Sequence, residues 1–253
     1  MKKRIIKEPC IQLYEMARDS VYKKYEGNYD ILVYAAAASK ASAGKLIQDN
    51  VITAITMMEF CRKHHIKRII YLSSDSIYGE LHTDIATEAA VMVNPGFYGM
   101  TKYLAERIIM DSGIPYYIIR MPGIVGGIQR DVFLCRLIAK MKEDEGIVLY
   151  NMDKVFNNVL HIDDLSKFIM LLCLLENNGN HEVFLLGNTE YVKLREIAYY
   201  LKKLTHSRSK IENIDTQDKR YFTLDVSKAV EYGYSSRKMK DILQELCHHR
   251  GLI

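Results

Sequence analysis

The chain contains two kinds of apolar pattern, short continuous runs and longer stretches of helical period. The runs are Tyr29–Ala35 (YDILVYA), Lys67–Ser73 (KRIIYLS) and Ile114–Arg120 (IPYYIIR). Apolar runs of this length are typical of strands buried on both faces of a parallel sheet. Helical periodicity fills the intervals at Ala43–His64 and Asn94–Met110. This alternation predicts an α/β fold with a doubly wound parallel sheet, and places the three runs at its centre.

The pattern loosens after Gly123. It predicts further strands at Gly146–Tyr150 and Glu182–Leu186, and helices at Val132–Met141, His161–Leu175, Val192–Leu204 and Lys238–His249. We therefore divide the chain into a main domain of residues 1–122 with about 155–180, and a small C-terminal α/β region of 123–154 and 181–253. At the front, Arg4–Lys7 is predicted as a short strand and Cys10–Tyr25 as a helix.

Composition indicates a soluble globular protein. Of the 253 residues, 49% are hydrophobic and 26% charged, and the net charge of +4 is scattered, which does not indicate a nucleic-acid surface. No apolar run approaches the roughly 18 residues of a membrane span, and the start does not have the form of a signal peptide. The five cysteines are far apart and form no CxxC, so we expect reduced thiols in a cytoplasmic protein and no zinc site.

The main candidate for chemistry is the pair Tyr98 and Lys102 in the stretch NPGFYGMTKYLAERIIM. Their spacing of four places a phenol and an ammonium on one face of a helix. A cation beside a phenol favours the phenolate and so lowers its pKa, as a general base requires. The spacing alone is not selective, because it recurs at Tyr150/Lys154, Tyr199/Lys203 and Tyr234/Lys238.

The sequence around Tyr98 distinguishes it from the other three. Hydroxyls and a carboxylate, Ser73-Ser74-Asp75-Ser76, directly follow the second predicted strand. An open α/β sheet binds its ligand at the carboxyl ends of its strands. His161 beside Asp163 fits the start of a helix better than a metal site, so no metal is predicted.

The ordered segments resemble those of a known family, the extended short-chain dehydrogenase/reductases. The members are NAD(P)-dependent nucleotide-sugar epimerases, dehydratases and reductases with a Rossmann-like domain. The resemblance runs from Asp30 to the C-terminus and rests on YDILVYAAAAS, Asn50, KRIIYLSSDSIYGE, PGFYGMTKYLAE, YYIIRMPGIVG, NNVLHIDDLSKFI and TLDVSKAVEYGY.

The resemblance implies a role for each matching residue. Tyr98 would be the catalytic base, Lys102 would lower its pKa and hold the nicotinamide ribose, and Ser74 would hydrogen-bond the reacting oxygen, with Asp75 beside it. NAD or NADP would bind the main domain, at Ala35, Ala36, Ala37, Asn50, Ser73, Tyr98, Lys102 and Pro122. The C-terminal region would bind the nucleotide-linked sugar, with Arg220 on its diphosphate. We also expect a homo-oligomer.

Two departures from the family pattern bear on the function. Sugar 4,6-dehydratases carry Thr-Asp-Glu where this chain has Ser74-Asp75-Ser76, so the second carboxylate is missing and epimerase or 4-keto reductase chemistry is favoured. The glycine-rich phosphate loop of the family is also missing, because the first glycine is Gly27 and only 29 residues precede Asp30. The alternative is therefore a family member without turnover that serves as a partner subunit or sugar-binding module. We expect either Arg4–Lys7 or a partner to cover the sheet edge.

Overall fold

The structure is a computed structural model that describes residues 29–127, 132–176, 178–218 and 220–248. The strand predicted at Arg4–Lys7 and the helix predicted at Cys10–Tyr25 lie outside these ranges, and so does any cover that they provide for the sheet edge. Among the helices that the structure describes, none is both long and apolar enough to cross a membrane.

The described elements confirm the predicted α/β class. In chain order they are β1 (Ile31–Tyr34), α1 (Ala43–Leu46), a π-helical segment (Ile47–Ile52), α2 (Thr53–Lys63), β2 (Arg68–Leu72), a 3₁₀ segment (Asp75–Tyr78), β3 (Ile85–Ala86), α3 (Phe97–Met110), β4 (Tyr116–Arg120), β5 (Ile124–Val125), α4 (Phe133–Lys142), β6 (Ile147–Tyr150), β7 (Leu160–His161), α5 (Ile162–Leu174), β8 (His181–Leu185), α6 (Leu194–Leu204), β9 (Ile211–Ile214), β10 (Thr223–Leu224), α7 (Ser227–Glu231) and α8 (Met239–His248). Each apolar run predicted as a strand contains one. The helix predicted over Ala43–His64 is interrupted by the π-helical segment, a distortion that often marks a functional position.

Four strands form the main sheet in the order β1-β2-β4-β8. β1 pairs with β2 and β2 with β4, both in parallel, with Ile31 opposite Arg68 and Ile69 opposite Tyr116. Ile69 and Ile118 on these strands are fully buried, and they share one core cluster with α2 and α3. The parallel pairing brings the carboxyl ends of β1, β2 and β4 to one edge of the sheet.

The expectation that all three predicted strands are buried on both faces is wrong for β1. Tyr34 packs into the cluster under α2, whereas the neighbouring Val33 is 39% exposed. Successive side chains of a strand point to opposite faces, so only one face of β1 is covered by the described residues. Within the described strand order, β1 lies at the end of the sheet, beside β2.

On the opposite face of β2, the buried side chain of Arg68 caps a helix end. Its guanidinium donates hydrogen bonds to the carbonyl oxygens of Leu172 (3.0 Å), Leu175 (2.9 Å) and Glu176 (2.9 Å), and lies 4.8 Å from the Tyr117 ring centroid. The last carbonyls of a helix have no partner within the helix and carry partial negative charge. The Arg68 guanidinium supplies the missing hydrogen-bond donors and a positive charge that compensates the helix end, which explains why an arginine is fully buried in this strand.

The chain forms two compact units. Within the described ranges, the first contains 29–77, Asn94–Arg120 and Ile169–Phe184, and the second contains Tyr78–Val93, Met121–Phe168 and the chain from Leu185 onward. The second unit has three parallel strand pairs, β3 with β10, β5 with β7, and β6 with β9, and a core between α4, α6 and α8. The predicted division of cofactor and substrate binding between two domains stays a prediction.

We expect the substitution Arg68→Met to lower the free energy of unfolding by about 2–4 kcal/mol, because three buried carbonyl groups lose their donor. Urea denaturation followed by circular dichroism measures the loss. Arg107→Met is the matched control, since Arg107 is an exposed arginine of the same unit paired with Asp111. A loss no larger than that of the control would contradict the capping role.

Candidate active site

The candidate site lies in the first unit, where the start of α3 meets the end of β2. α3 begins after Gly96, and its second and sixth residues are Tyr98 and Lys102. Gly99 allows α3 to lie close to the segment that follows β2, because a Cβ atom at this position would lie 2.2 Å from the carbonyl oxygen of Ser76. Only glycine can sit this close to another backbone, so the helix and the Ser-rich strand end are held in contact.

Tyr98 interacts with Ser74 across this contact. The Tyr98 side chain is half-buried, and burial raises its pKa above the ordinary value for tyrosine. The hydrogen bond with the Ser74 side chain opposes this shift, and the negative charge of Asp75 adds to it. Ser74 is itself oriented by its neighbours, with its hydroxyl 3.1 Å from Ser76 Oγ and 3.3 Å from Asp75 Oδ1.

Lys102 is buried beside the end of β2, with 1% of its surface exposed. Its Nζ donates a hydrogen bond of 2.7 Å to the carbonyl oxygen of Leu72 and lies 4.2 Å from the Tyr71 ring centroid. Burial lowers the pKa of Lys102 from 10.5 to about 7, and the charge of Glu106 acts in the opposite direction. The predicted lowering of the Tyr98 pKa by Lys102 stays a prediction, since Ser74 is the neighbour that lowers it in this structure.

Below Lys102, a buried ion pair connects α3 with the ends of β2 and β4. Glu106 is fully buried, and Arg120 Nη2 lies 2.8 Å from its Oε2, with Nε 3.2 Å from Oε1. The Ser73 hydroxyl donates a short hydrogen bond to the same carboxylate. Ser73, predicted to bind cofactor, thus directs its hydroxyl at Glu106 instead, so its contact with a cofactor remains a prediction.

Asn50, on the π-helical segment, connects the end of β1 to α3. Its Oδ1 accepts a hydrogen bond from the Ala38 amide (2.8 Å), and its Nδ2 donates to Ala38 O (3.0 Å) and Thr101 Oγ1 (3.0 Å). Thr101 in turn donates to the carbonyl oxygen of Tyr98 at 2.9 Å. Between Asn50 and β1 lie the predicted cofactor contacts Ala35, which is exposed, and Ala36 and Ala37, which are half-buried. Their small side chains leave the backbone at this strand end accessible.

Two predicted site residues belong to the second unit. Pro122 is buried and follows β4 closely in the chain. Arg220 is exposed and forms an ion pair with Asp218, with its Nε 2.9 Å from Asp218 Oδ1. Arg220 borders a cavity of about 380 Å³, whose lining includes the rings of Tyr150 and Tyr221, 6.0 Å apart. This cavity combines aromatic surface with a guanidinium.

Two of the three competing Tyr/Lys spacings have other surroundings in the structure. Tyr150 lies in the second-unit cavity, and Lys154 pairs with Asp84 at 2.7 Å. Tyr234 is buried and donates to the Gly187 carbonyl at 2.7 Å. Where side chains are described, no group of three or more His, Cys, Asp or Glu residues could hold a metal ion.

Comparison with known proteins decides the family. Residues 16–187, more than half of the chain, match the model of the NAD-dependent epimerase/dehydratase family. The chain belongs to this family. UDP-glucose 4-epimerase of Caenorhabditis elegans is 31% identical over 108 residues, 39% of this chain and 30% of that protein. UDP-glucose 4-epimerase of Corynebacterium glutamicum is 22% identical over 206 residues, 71% of this chain and 62% of that protein. The matched segments thus span less than two thirds of these curated relatives.

A solved structure confirms the fold. UDP-glucuronic acid 4-epimerase of Bacillus cereus, in complex with NAD, superposes with a TM-score of 0.79. The match has 22% identity and covers 92% of this chain and 78% of the other. An identity this low shows a shared Rossmann-like architecture and nothing further.

The residues at the sheet edge fit the nicotinamide end of the family's cofactor. Tyr98 and Ser74 present two hydroxyls, Lys102 is a buried lysine one helical turn further along α3, and Asn50 hydrogen-bonds the backbone of Ala38. Hydroxyls and a cation suit the hydroxyl-rich ribose and the reacting oxygen of a substrate.

Four residues of this site were not singled out in the sequence. Glu106 lies four residues after Lys102, so the helical period that pairs Tyr98 with Lys102 also places Glu106 on that face. A charged residue at the end of the apolar β4 run was the signal for Arg120. Thr101 and Gly99 had no distinguishing signal, because their roles depend on contacts with Asn50 and Ser76.

The lowered pKa of Lys102 predicts a pH dependence of stability. The unfolded chain keeps the proton up to about pH 10.5, whereas the folded protein loses it near pH 7, so unfolding takes up a proton between these values. The free energy of unfolding should therefore rise with pH, by about 1.4 kcal/mol per unit from this group. Urea denaturation of the wild type and of Lys102→Met between pH 7 and 9 isolates the contribution. Equal slopes for the two proteins would contradict it.

Proposed function

We propose that this chain is an NAD(P)-dependent epimerase or 4-keto reductase acting on a nucleotide-linked sugar. The observation that carries the proposal is the contact of Tyr98 with Ser74 at the end of β2, beside the buried ammonium of Lys102. Family membership adds the cofactor, and the relatives and the solved structure named above are 4-epimerases of UDP-glucose and UDP-glucuronic acid.

In this proposal Tyr98 moves the proton at the reacting oxygen. As a phenolate, Tyr98 takes the proton of a sugar hydroxyl and becomes a phenol, and the phenol later returns that proton, while the Ser74 hydroxyl holds the same oxygen in place. A bound nicotinamide cofactor supplies the hydride acceptor and donor. Because burial raises the Tyr98 pKa, the phenol is protonated in the free protein at neutral pH. Ser74 and the positive charge of Lys102 have to favour the phenolate when substrate is present.

The Asp75 carboxylate supports epimerase or reductase chemistry over dehydration. It lies close enough to Tyr98 to raise the pKa of the phenol, and the next residue, Ser76, offers a hydroxyl where the dehydratase pattern has a second acid. Dehydration needs one group to remove a proton from carbon and a second group to protonate the leaving water, and a single carboxylate does not supply both. We assign Asp75 a role in tuning Tyr98.

We assign substrate binding to the second unit. The Tyr150 and Tyr221 rings offer a surface on which a base can stack, and Arg220 can pair with a diphosphate. Asp218 holds Arg220 in the free protein, and the pKa of Asp218 is lowered to about 2 by this contact. A diphosphate therefore competes with Asp218 for the guanidinium.

The alternative proposal is a family member without turnover. The raised pKa of Tyr98 favours a protein without turnover, because a phenol whose pKa stays raised is a poor base at neutral pH. Cytoplasmic localisation is proposed for either function, and the free thiols Cys61, Cys135 and Cys173 agree with a reducing compartment.

The substitution Tyr98→Phe tests the assigned role. We expect kcat for interconversion of UDP-sugar epimers to fall by at least about 100-fold, while NAD binding measured by calorimetry changes little. Tyr103→Phe is the matched control, five residues further along α3, and should keep full activity. NAD binding by the wild type without any turnover of UDP-glucose, UDP-glucuronic acid or their 4-keto forms would favour the alternative.

We propose a homo-oligomer because α3 carries exposed apolar side chains along one face. Phe97, Met100 and Leu104 form an exposed apolar stripe at spacings of three and four. Two copies of one stripe can pair across a twofold axis, so the partner that we propose is a second chain.

The substitution Leu104→Arg should shift the protein toward monomer in sedimentation analysis, because it places a charge in the centre of the proposed contact. The matched control is Val230→Arg, a similarly exposed apolar residue of the second unit. A wild type that is monomeric at 100 µM would rule the oligomer out.

A further inference from the structure

A second ion pair borders the cavity that Arg220 lines in the second unit. Lys154 Nζ lies 2.7 Å from Asp84 Oδ1, and both residues line this cavity of about 380 Å³ together with Tyr150 and Tyr221. Of the charged groups in the cavity wall, the proposed function uses Arg220 and leaves Lys154 without a role. A lysine is a common partner of phosphate groups, to which it presents a point charge.

The backbone fixes where both members of this pair lie. Lys154 closes the turn after β6, where its amide donates to the Asn151 carbonyl at 2.9 Å and its own carbonyl accepts from the Leu194 amide at 3.1 Å. The Asp84 carbonyl accepts a hydrogen bond of 2.8 Å from the Thr223 amide, at the start of β10. The side chains are open to solvent, with 46% of Lys154 and 76% of Asp84 exposed. The Lys154 ammonium can therefore exchange its partner while the backbone around it stays in place.

The two ion pairs of this wall lie beside each other. Asp84, Lys154 and Asp218 border a small polar cavity of about 120 Å³, which Tyr221 also lines. Asp218 is the carboxylate that pairs with Arg220. Two cations thus share one stretch of the wall, and each already faces a carboxylate. A diphosphate has anionic oxygens on two adjacent phosphoryl groups, which suits two neighbouring cations better than a single one.

We propose that Lys154 is a second cation for the diphosphate of the substrate, and that Asp84 is an internal carboxylate that occupies Lys154 until the ligand binds. This inference deepens the proposed function and rests on it for the identity of the ligand. The exposure of the pair makes the exchange favourable. Displacing an exposed carboxylate such as Asp84 costs at most about fivefold in affinity, because exposed ion pairs contribute little. A charge-assisted hydrogen bond to phosphate strengthens binding by about tenfold or more.

A purely structural ion pair makes a different prediction. In that case Lys154 and Asp84 only connect the turn after β6 with the start of β3, and the loss of either partner disturbs the cavity wall in the same direction. An internal competitor has the opposite effect from the residue that it occupies. The signs of the two effects on ligand affinity therefore separate the two roles.

The first experiment measures the binding of UDP and of GDP by calorimetry, in the presence of EDTA and without NAD. Lys154→Met should weaken binding by about tenfold, because a phosphate contact is lost. Asp84→Asn should tighten binding by about two- to fivefold, because the competing carboxylate is lost while the side chain keeps its size. Both positions are exposed, so we expect the variants to fold, and circular dichroism checks this.

Lys210→Met and Glu212→Gln are the matched controls. Lys210 and Glu212 form an ion pair of the same 2.7 Å length in the second unit, and neither residue lines the cavity. Each control should change the affinity by less than about 1.5-fold. Effects of the same sign for Lys154→Met and Asp84→Asn, or effects no larger than those of the controls, overturn the proposal.

The second experiment repeats Asp84→Asn in the Lys154→Met background. If Asp84 acts by occupying Lys154, its replacement should change the affinity there by less than about 1.5-fold, because direct repulsion by an exposed carboxylate is screened by salt. Tightening by the same factor in both backgrounds would mean that Asp84 repels the ligand directly, which overturns the proposal.

These measurements are independent of turnover. The expected responses at Lys154 and Asp84 in a protein that shows no NAD-dependent activity would support this inference and reject the proposed function. NAD-dependent activity on a UDP-sugar, together with diphosphate binding that is unchanged in Lys154→Met, would support the proposed function and overturn this inference. A wild type that binds neither UDP nor GDP also overturns it.

Discussion

The close approach of α3 to the carboxyl edge of the parallel sheet is the constraint on which the candidate site depends. Gly99 permits it, because any side chain there would collide with the Ser76 carbonyl. The polar contacts that α3 makes with its neighbours depend on this approach: Tyr98 with Ser74, Lys102 with Leu72, Glu106 with Ser73 and Arg120, and Thr101 with Asn50. A helix held further away would break all five contacts together.

This approach also sets the electrostatics of the site. It removes Lys102 from water, which costs the ammonium its hydration and lowers its pKa, and it brings the Glu106 carboxylate into the same low-dielectric surroundings. Buried charges are stable only when they are paired and fully hydrogen-bonded. The Glu106–Arg120 pair meets both conditions through its two contacts and the Ser73 hydroxyl, and so its geometry is well defined.

Family membership and the individual site lead to different kinds of conclusion. The match over residues 16–187 decides the family, and the solved structure decides the fold. Neither assigns a substrate to this chain, since folds of this class carry many activities. The substrate proposal rests on local chemistry in the second unit, where Arg220 and two tyrosine rings border one cavity. The proton-transfer proposal rests on Tyr98 and Ser74 in the first unit.

The sequence by itself determined the α/β class, the order of the elements and the position of Tyr98 and Lys102 on one helical face. These features depend on period and on neighbours in the chain, which a single sequence displays. Only the tertiary structure decided that Ser73 points at Glu106, that Lys102 is buried over Tyr71, and that the described residues cover β1 on one face only. Such contacts join segments 30 or more residues apart. Their energies come from burial and pairing, and both are properties of the assembled fold.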